Sequence, residues 1–144
     1  MLAATLIALI LMAACVLVNY EALRLTQSLI PRLRIRPHSR ILLILFAVFT
    51  VHLCCIALYA GCYYVMSETL GLGTLHGEFR GEALDYLYFS ATNYTTLGIG
   101  DVFAHGPIRL VAGTEPLTGL VLIAWSASFT YLHMERFWEL HQKQ

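Results

Sequence analysis

Apolar and polar positions divide the chain into three long apolar stretches and two short mixed segments. From Leu2 to Val18 no charged side chain interrupts the run. A helix continuing toward Leu25 reaches the roughly 20 residues that a bilayer crossing needs. Ile41 to Met66 forms the second stretch, with His52 as its strongly polar member and Tyr59, Tyr63 and Tyr64 near its far end, where aromatic rings suit a membrane interface. The third runs from about Pro107 to Leu132, is interrupted by Glu115-Pro116, and ends among Tyr131, Phe137 and Trp138. Glu82 to Asp101 is too short and too polar to span. Its first part, about Glu82 to Tyr94, predicts a half-length helix opening on the acids Glu82 and Asp85, which favour the positive end of a helix dipole. Gly71 to Gly77 reads as a loop, because neither a preceding strand nor a following Lys supports a phosphate-binding turn there.

Composition agrees with this pattern. Of 144 residues, 58% are hydrophobic and 12% charged, with mean hydropathy +0.68, against roughly 45–50% and about 25% in soluble domains. The chain therefore reads as an all-α membrane protein, and too little remains outside the apolar stretches for a soluble catalytic domain. An enzymatic role is not expected. Nine basic residues balance nine acidic ones, so nothing draws the chain to nucleic acid. Cys15, Cys54, Cys55 and Cys62 sit inside apolar runs without ligand spacing, which points to packing rather than to disulfides or zinc. The first stretch has a signal peptide as its alternative, and Met12-Ala13-Ala14-Cys15 loosely resembles a lipoprotein cleavage box. No Lys or Arg precedes the run, however, so a retained helix is expected.

Charge sets the expected orientation. Arg24, Arg32, Arg34, Arg36 and Arg40 crowd the first connection, whereas Glu68, Glu78, Glu82, Asp85 and Asp101 precede the third stretch. The positive-inside rule then puts the first connection in the cytoplasm, the N-terminus outside and the C-terminus inside, in a multi-pass cell-membrane protein in contact with lipid. Arg32, Arg34 and Arg36 alternate between two prolines outside the apolar runs, unlike a voltage-sensing helix.

The chemistry concentrates in Tyr86 to Asp101. A short helix, a strip with alternating glycines and then a full span imply backbone that dips into the membrane and returns. Non-helical backbone at that depth is tolerated when it is buried in protein or lines a water-filled path. Gly98 and Gly100 enter left-handed conformations at no steric cost, which lets successive carbonyls point one way.

Thr95-Thr96-Leu97-Gly98-Ile99-Gly100-Asp101 resembles the potassium-channel filter motif Thr-Thr-Val-Gly-Tyr-Gly-Asp, and is especially similar to its variants in two-pore-domain channels. The resemblance covers about Ile41 to Tyr131, and the separation of Arg109 from Gly119 is similar to that in bacterial members. It implies a pore domain of outer helix, pore helix with filter loop, and inner helix over 41–136. A transmembrane helix and basic linker (1–40) precede it, and a short tail (137–144) follows. It implies a homotetramer conducting potassium passively, with the ions held by carbonyls of Thr96, Leu97, Gly98, Ile99 and Gly100 and by the Thr96 hydroxyl. Neither an organic cofactor nor a small-molecule substrate is implied. Thr95, Asp101, Glu115, Tyr88, Phe89 and Thr92 are the expected filter supports, with Tyr86 and Tyr94 completing an aromatic cuff. Two residues depart from the family pattern: Ile99 stands where Tyr or Phe is usual, and Thr92 where some bacterial members have Glu.

Glu115 is costly in lipid unless it faces protein or water, and it is expected to hold the pore loop through Thr92, Asn93 or Thr95. Pro116 is expected to bend its helix. Gly119 is a hinge candidate, with close packing as the equal alternative. Leu120, Ile123, Ala127 and Tyr131 fall on one helical stripe and are expected to line the pore. His52 is expected to be a satisfied polar residue. Two other functions stay open: a poorly selective cation channel, motivated by Ile99, and a non-conducting subunit or redox anchor using His52, Cys54 and Cys55.

Overall fold

The computed structural model describes residues 1–30 and 37–142. Arg32, Arg34 and Arg36 lie outside the described residues, as do the side chains of Phe137 and Trp138. Helix α1 spans Leu2–Leu29 and α2 spans Pro37–Tyr64. A short π-helical turn over Val65–Thr69 ends α2, with the Leu70 amide donating to the Val65 carbonyl at 3.0 Å. Strand β1 (Thr74–Gly77), helix α3 (Ala83–Tyr94), strand β2 (Val102–His105) and helix α4 (Ile108–Gln142) follow. Segments Leu2–Leu29, Ser39–Thr69 and Ile108–Glu135 are each long and apolar enough to cross a membrane, as the hydropathy pattern predicts.

Four boundaries differ from the sequence reading. Helix α1 extends to Leu29, so Arg24 sits on the helix beside Glu21, at 3.4 Å, rather than in the connection. Helix α2 starts at Pro37, whose fixed φ suits a first helical turn. Helix α4 runs unbroken past Pro116 to Gln142, so 137–142 are helical. The Gly71–Gly77 loop contains a strand, paired antiparallel with β2 in the register Leu75↔Ala104 and Gly77↔Val102. Leu75 and Val102 are buried under this hairpin, and period-two burial over four residues is too brief a signal to stand out in sequence.

Each long helix buries one stripe. On α2 it is Val51, Cys55, Tyr59 and Tyr63, continued by Met66 on the π-helical turn; on α4 it is Val111, Glu115, Thr118, Leu122, Ser126 and Thr130. Both follow the three-and-four spacing of a helix face. Helix α1 packs Ala4, Ala8, Cys15, Asn19, Leu23 and Thr26 inward, and small residues let membrane helices approach closely. Ser126 on α4 donates to Asn19 Oδ1 at 3.2 Å in this buried seam, and Tyr20 lies 6.5 Å from Trp125. Thus α1 clasps the inner helix and packs on α2, and its inward residues Ala4, Ala8 and Cys15 join the same core as α2, α3 and α4.

Candidate functional site

Helix α3 is set by its acids. Asp85 reaches back from the first turn, its Oδ2 accepting from the backbone amides of Arg80 at 2.7 Å and Glu82 at 3.2 Å. This satisfies amides that a helix start leaves without partners. Tyr86 fixes the same end to the outer helix: Ser67 Oγ and Tyr86 Oη are 2.9 Å apart, and Tyr86 donates to Glu68 at 2.9 Å.

The other end of α3 runs into the strip. Thr95 Oγ1 donates to the Ala91 carbonyl at 2.7 Å, the Thr96 amide to Asn93 at 2.9 Å and the Gly98 amide to Thr92 at 3.0 Å. The last-turn carbonyls therefore anchor the strip, and the partially negative end of α3 lies against it. Positive φ occurs at Thr96 (62°), Gly98 (53°) and Gly100 (86°), with Leu97 and Ile99 between them at negative φ. The alternation expected of the two glycines begins two residues earlier, at a threonine. A threonine there is strained, which is why sequence gave no sign of it. From Thr95 to Gly100 every residue is exposed on its own chain, with Leu97 at 66% and Ile99 at 57%.

Asp101 secures the far end. Tyr88 Oη donates to its Oδ2 at 2.7 Å, the Val102 amide to its Oδ1 at 2.9 Å, and its carbonyl accepts from the Glu78 amide at 2.9 Å. The hydrogen bond to this carboxylate holds the Tyr88 phenol above its ordinary pKa. Tyr88 and Asp101 thus meet directly.

Behind α3, three helices converge on Glu115, which is fully buried. It accepts from Tyr63 of α2 at Oε2 and pairs with Ser90 of α3 at Oε1. The expected partners Thr92, Asn93 and Thr95 are corrected: Thr92 Oγ1 donates to Phe89, and Thr95 Oγ1 to Ala91. Glu115 braces α3 about half to one and a half turns nearer its N-terminus, because its position on α4 faces Ser90. Ser90 Oγ is also 2.9 Å from the Ile56 carbonyl. One Ser90 hydroxyl therefore faces both the Glu115 carboxyl and the α2 backbone, which ties α2, α3 and α4 together at this point. Nearby, Phe89 meets Tyr63 edge to face at 5.0 Å, and Tyr59 and Thr118 bond at 3.0 Å.

His52 Nδ1 lies 2.9 Å from Tyr94 Oη, so the intramembrane histidine has the partner expected of it. Gly119 meets Tyr94 from α4: a Cβ there would collide with the Tyr94 carbonyl oxygen. Ile123, Ala127 and Tyr131 line a groove of about 640 Å³ with Phe49, His52 and Tyr94, below the strip. Leu120 is exposed one turn above.

Tyr63, Ser90, Asn19 and Ser126 were not evident as partners in the sequence. Only Asn19, a polar residue at the end of an apolar run, carried a readable sign. A family model described as an ion channel matches residues 51–135, more than half of the chain. No curated protein and no solved structure matches it.

Proposed function

The chain belongs to the ion channel family, and from that premise we propose that it conducts potassium passively and selectively as a homotetramer in the cell membrane. The observation that carries this reading is the alternation of backbone hand at Thr96, Gly98 and Gly100. Such alternation aims successive carbonyls to one side, where oxygens from Thr96 to Ile99, with the Thr96 hydroxyl and Gly100, replace the water shell of a potassium ion. One chain brings one strip, so a ring of ligands needs four copies, and cyclic symmetry closes it. Exposure of Leu97 and Ile99 fits an assembly in which neighbouring chains cover them. Thr95, Asp101, Glu115, Tyr88, Phe89 and Thr92 support the strip. Ile123, Ala127, Tyr131 and Leu120 face the water below it, and Gly119 is where α4 packs closely on the end of α3. In this reading the N-terminus is outside and the C-terminus cytoplasmic.

Ion flux from liposomes containing the purified protein tests it. Potassium should pass in preference to sodium, and barium, which matches potassium in size but leaves carbonyl sites slowly, should block. Equal potassium and sodium permeability would instead favour the poorly selective channel. That second reading rests on Ile99, which has no hydroxyl with which to tie the strip to the cuff. A redox anchor has less support, since His52 engages Tyr94 while Cys54 is exposed and Cys55 buried.

A further inference from the structure

The outer hairpin carries two imidazoles that the conduction reading does not use. In the register Thr74↔His105 and His76↔Phe103, the side chains of residues 74, 76, 103 and 105 share one face of the two-stranded sheet. His76 and His105 are diagonal neighbours on that face, a relation within reach of aromatic side chains. Both are exposed, and their ring centroids stand 6.2 Å apart at an interplanar angle of 81°.

His76 is held in place. Its Nε2 lies 2.7 Å from Thr74 Oγ1, and its ring stacks on Phe103 with centroids 6.0 Å apart. A metal-bound histidine commonly donates its second ring N–H to an oxygen, which fixes tautomer and orientation. In the tautomer that donates Nε2–H to Thr74, the Nδ1 lone pair of His76 is left as a ligand.

We infer that His76 and His105 form a binding site for a borderline divalent transition cation such as zinc, on the hairpin beside the strip's outer end. Zinc–imidazole bonds of about 2.0–2.1 Å place two tetrahedral ligand rings with centroids roughly 5 Å apart. The observed pair closes to that spacing by a shift of about 1 Å, a small rotation for an exposed His105 side chain. Water fills the remaining positions, since among the described residues no third His, Cys, Asp or Glu joins the pair. Magnesium, which selects oxygen ligands, is excluded by the same donor set.

The hairpin transmits the effect. Strand β2 starts directly after Asp101, and the Glu78 amide just beyond β1 donates to the Asp101 carbonyl. A metal bridging the strands stiffens the segment that holds the strip's outer end, and so lowers flux. The binding site stands on hairpin geometry alone; its effect on flux rests on the conduction proposed above.

Titration calorimetry of the purified full chain with zinc chloride reads the site whether or not the protein conducts. The expected result is one zinc per chain with a dissociation constant in the micromolar range, weakened at least tenfold by His76→Ala or by His105→Gln. Magnesium should give no heat. Zinc added to the hairpin side of liposomes should reduce flux of the parent severalfold and leave the His76→Ala/His105→Gln chain unaffected. Zinc binding that survives in the double variant overturns the site. Binding that is lost in the double variant but never alters a working flux overturns the coupling to the strip.

Discussion

Glu115 is the residue whose surroundings make the sharpest demand. If it is a neutral acid bridging Tyr63 and Ser90, an amide reproduces the pattern, accepting from Tyr63 and donating to Ser90. Glu115→Gln should therefore assemble like the parent. Glu115→Leu leaves the Tyr63 hydroxyl without a partner, at about 1–3 kcal/mol per chain, while Ser90 keeps Ile56. Thermal survival of the oligomer measures both, and adding Tyr63→Phe to Glu115→Leu should recover most of the loss. Equal damage from Gln and Leu would mean that the carboxyl is ionised. Ile99 makes the opposite case, a position that lacks a bond. Asn93 Nδ2 is buried without a partner, and Asn93 lines the same cavity as Gly98 and Gly100. Ile99→Tyr should keep potassium selectivity and lengthen the conducting lifetime through that amide. Asn93→Ala in the same chain should remove the gain, and single-channel dwell times would show it.

The helices were legible from hydropathy because a bilayer crossing needs a long run, and the strip because its two glycines before Asp101 lie between a half-length helix and a full span, in a motif that resembles a potassium-channel filter. What lay hidden was convergence. Tyr63, Ser90 and Glu115 come from three elements, and no spacing in the chain brings them together. The β1–β2 hairpin was hidden for a different reason, since four-residue strands between glycines give too little alternation to be told from a loop. At the α3–α4 contact the two readings of Gly119 separate. Gly119→Ala drives a Cβ into the Tyr94 carbonyl, so it should lower oligomer yield as well as flux. Gly113→Ala enters open space on the same helix and should be neutral or stabilising by up to about 1 kcal/mol. A Gly119→Ala oligomer of normal yield with altered gating alone would favour the hinge. The face of α4 is equally open to test. In a background without the native cysteines, single cysteines at Ile123, Ala127 and Tyr131 should react with a water-soluble thiol reagent from the cytoplasmic side and reduce current. Cysteines at Leu122 and Ser126, buried against their own chain, should not react. The reverse pattern would rotate the helix.

Across the whole molecule, α1 lies outside the matched residues 51–135 and yet shares the core, with Asn19 against Ser126 on the inner helix. Ser126 borders the same groove as Ile123 and Ala127, and its hydroxyl reaches Asn19 across the seam with α1, so any outward swing of α4 must carry α1 along or break this contact. Membrane hydrogen bonds of this kind average about 0.6 kcal/mol, small enough for the inner helix to let go. The strip behaves differently. Its ends are tied within the chain, at Thr92 to Asn93 and at Asp101, while the residues from Leu97 to Gly100 are exposed on their own chain. In the proposed homotetramer the part that touches the ion is completed by other copies, so no chain owns a working site. Inheritance of a defect follows from that arrangement. Where a chain with a ruined strip is made in equal amount with a sound one and the two mix at random in rings of four, only about one assembly in sixteen is wholly sound. Co-expression at that ratio should leave flux near that fraction instead of at half, making a single faulty copy dominant over its partner.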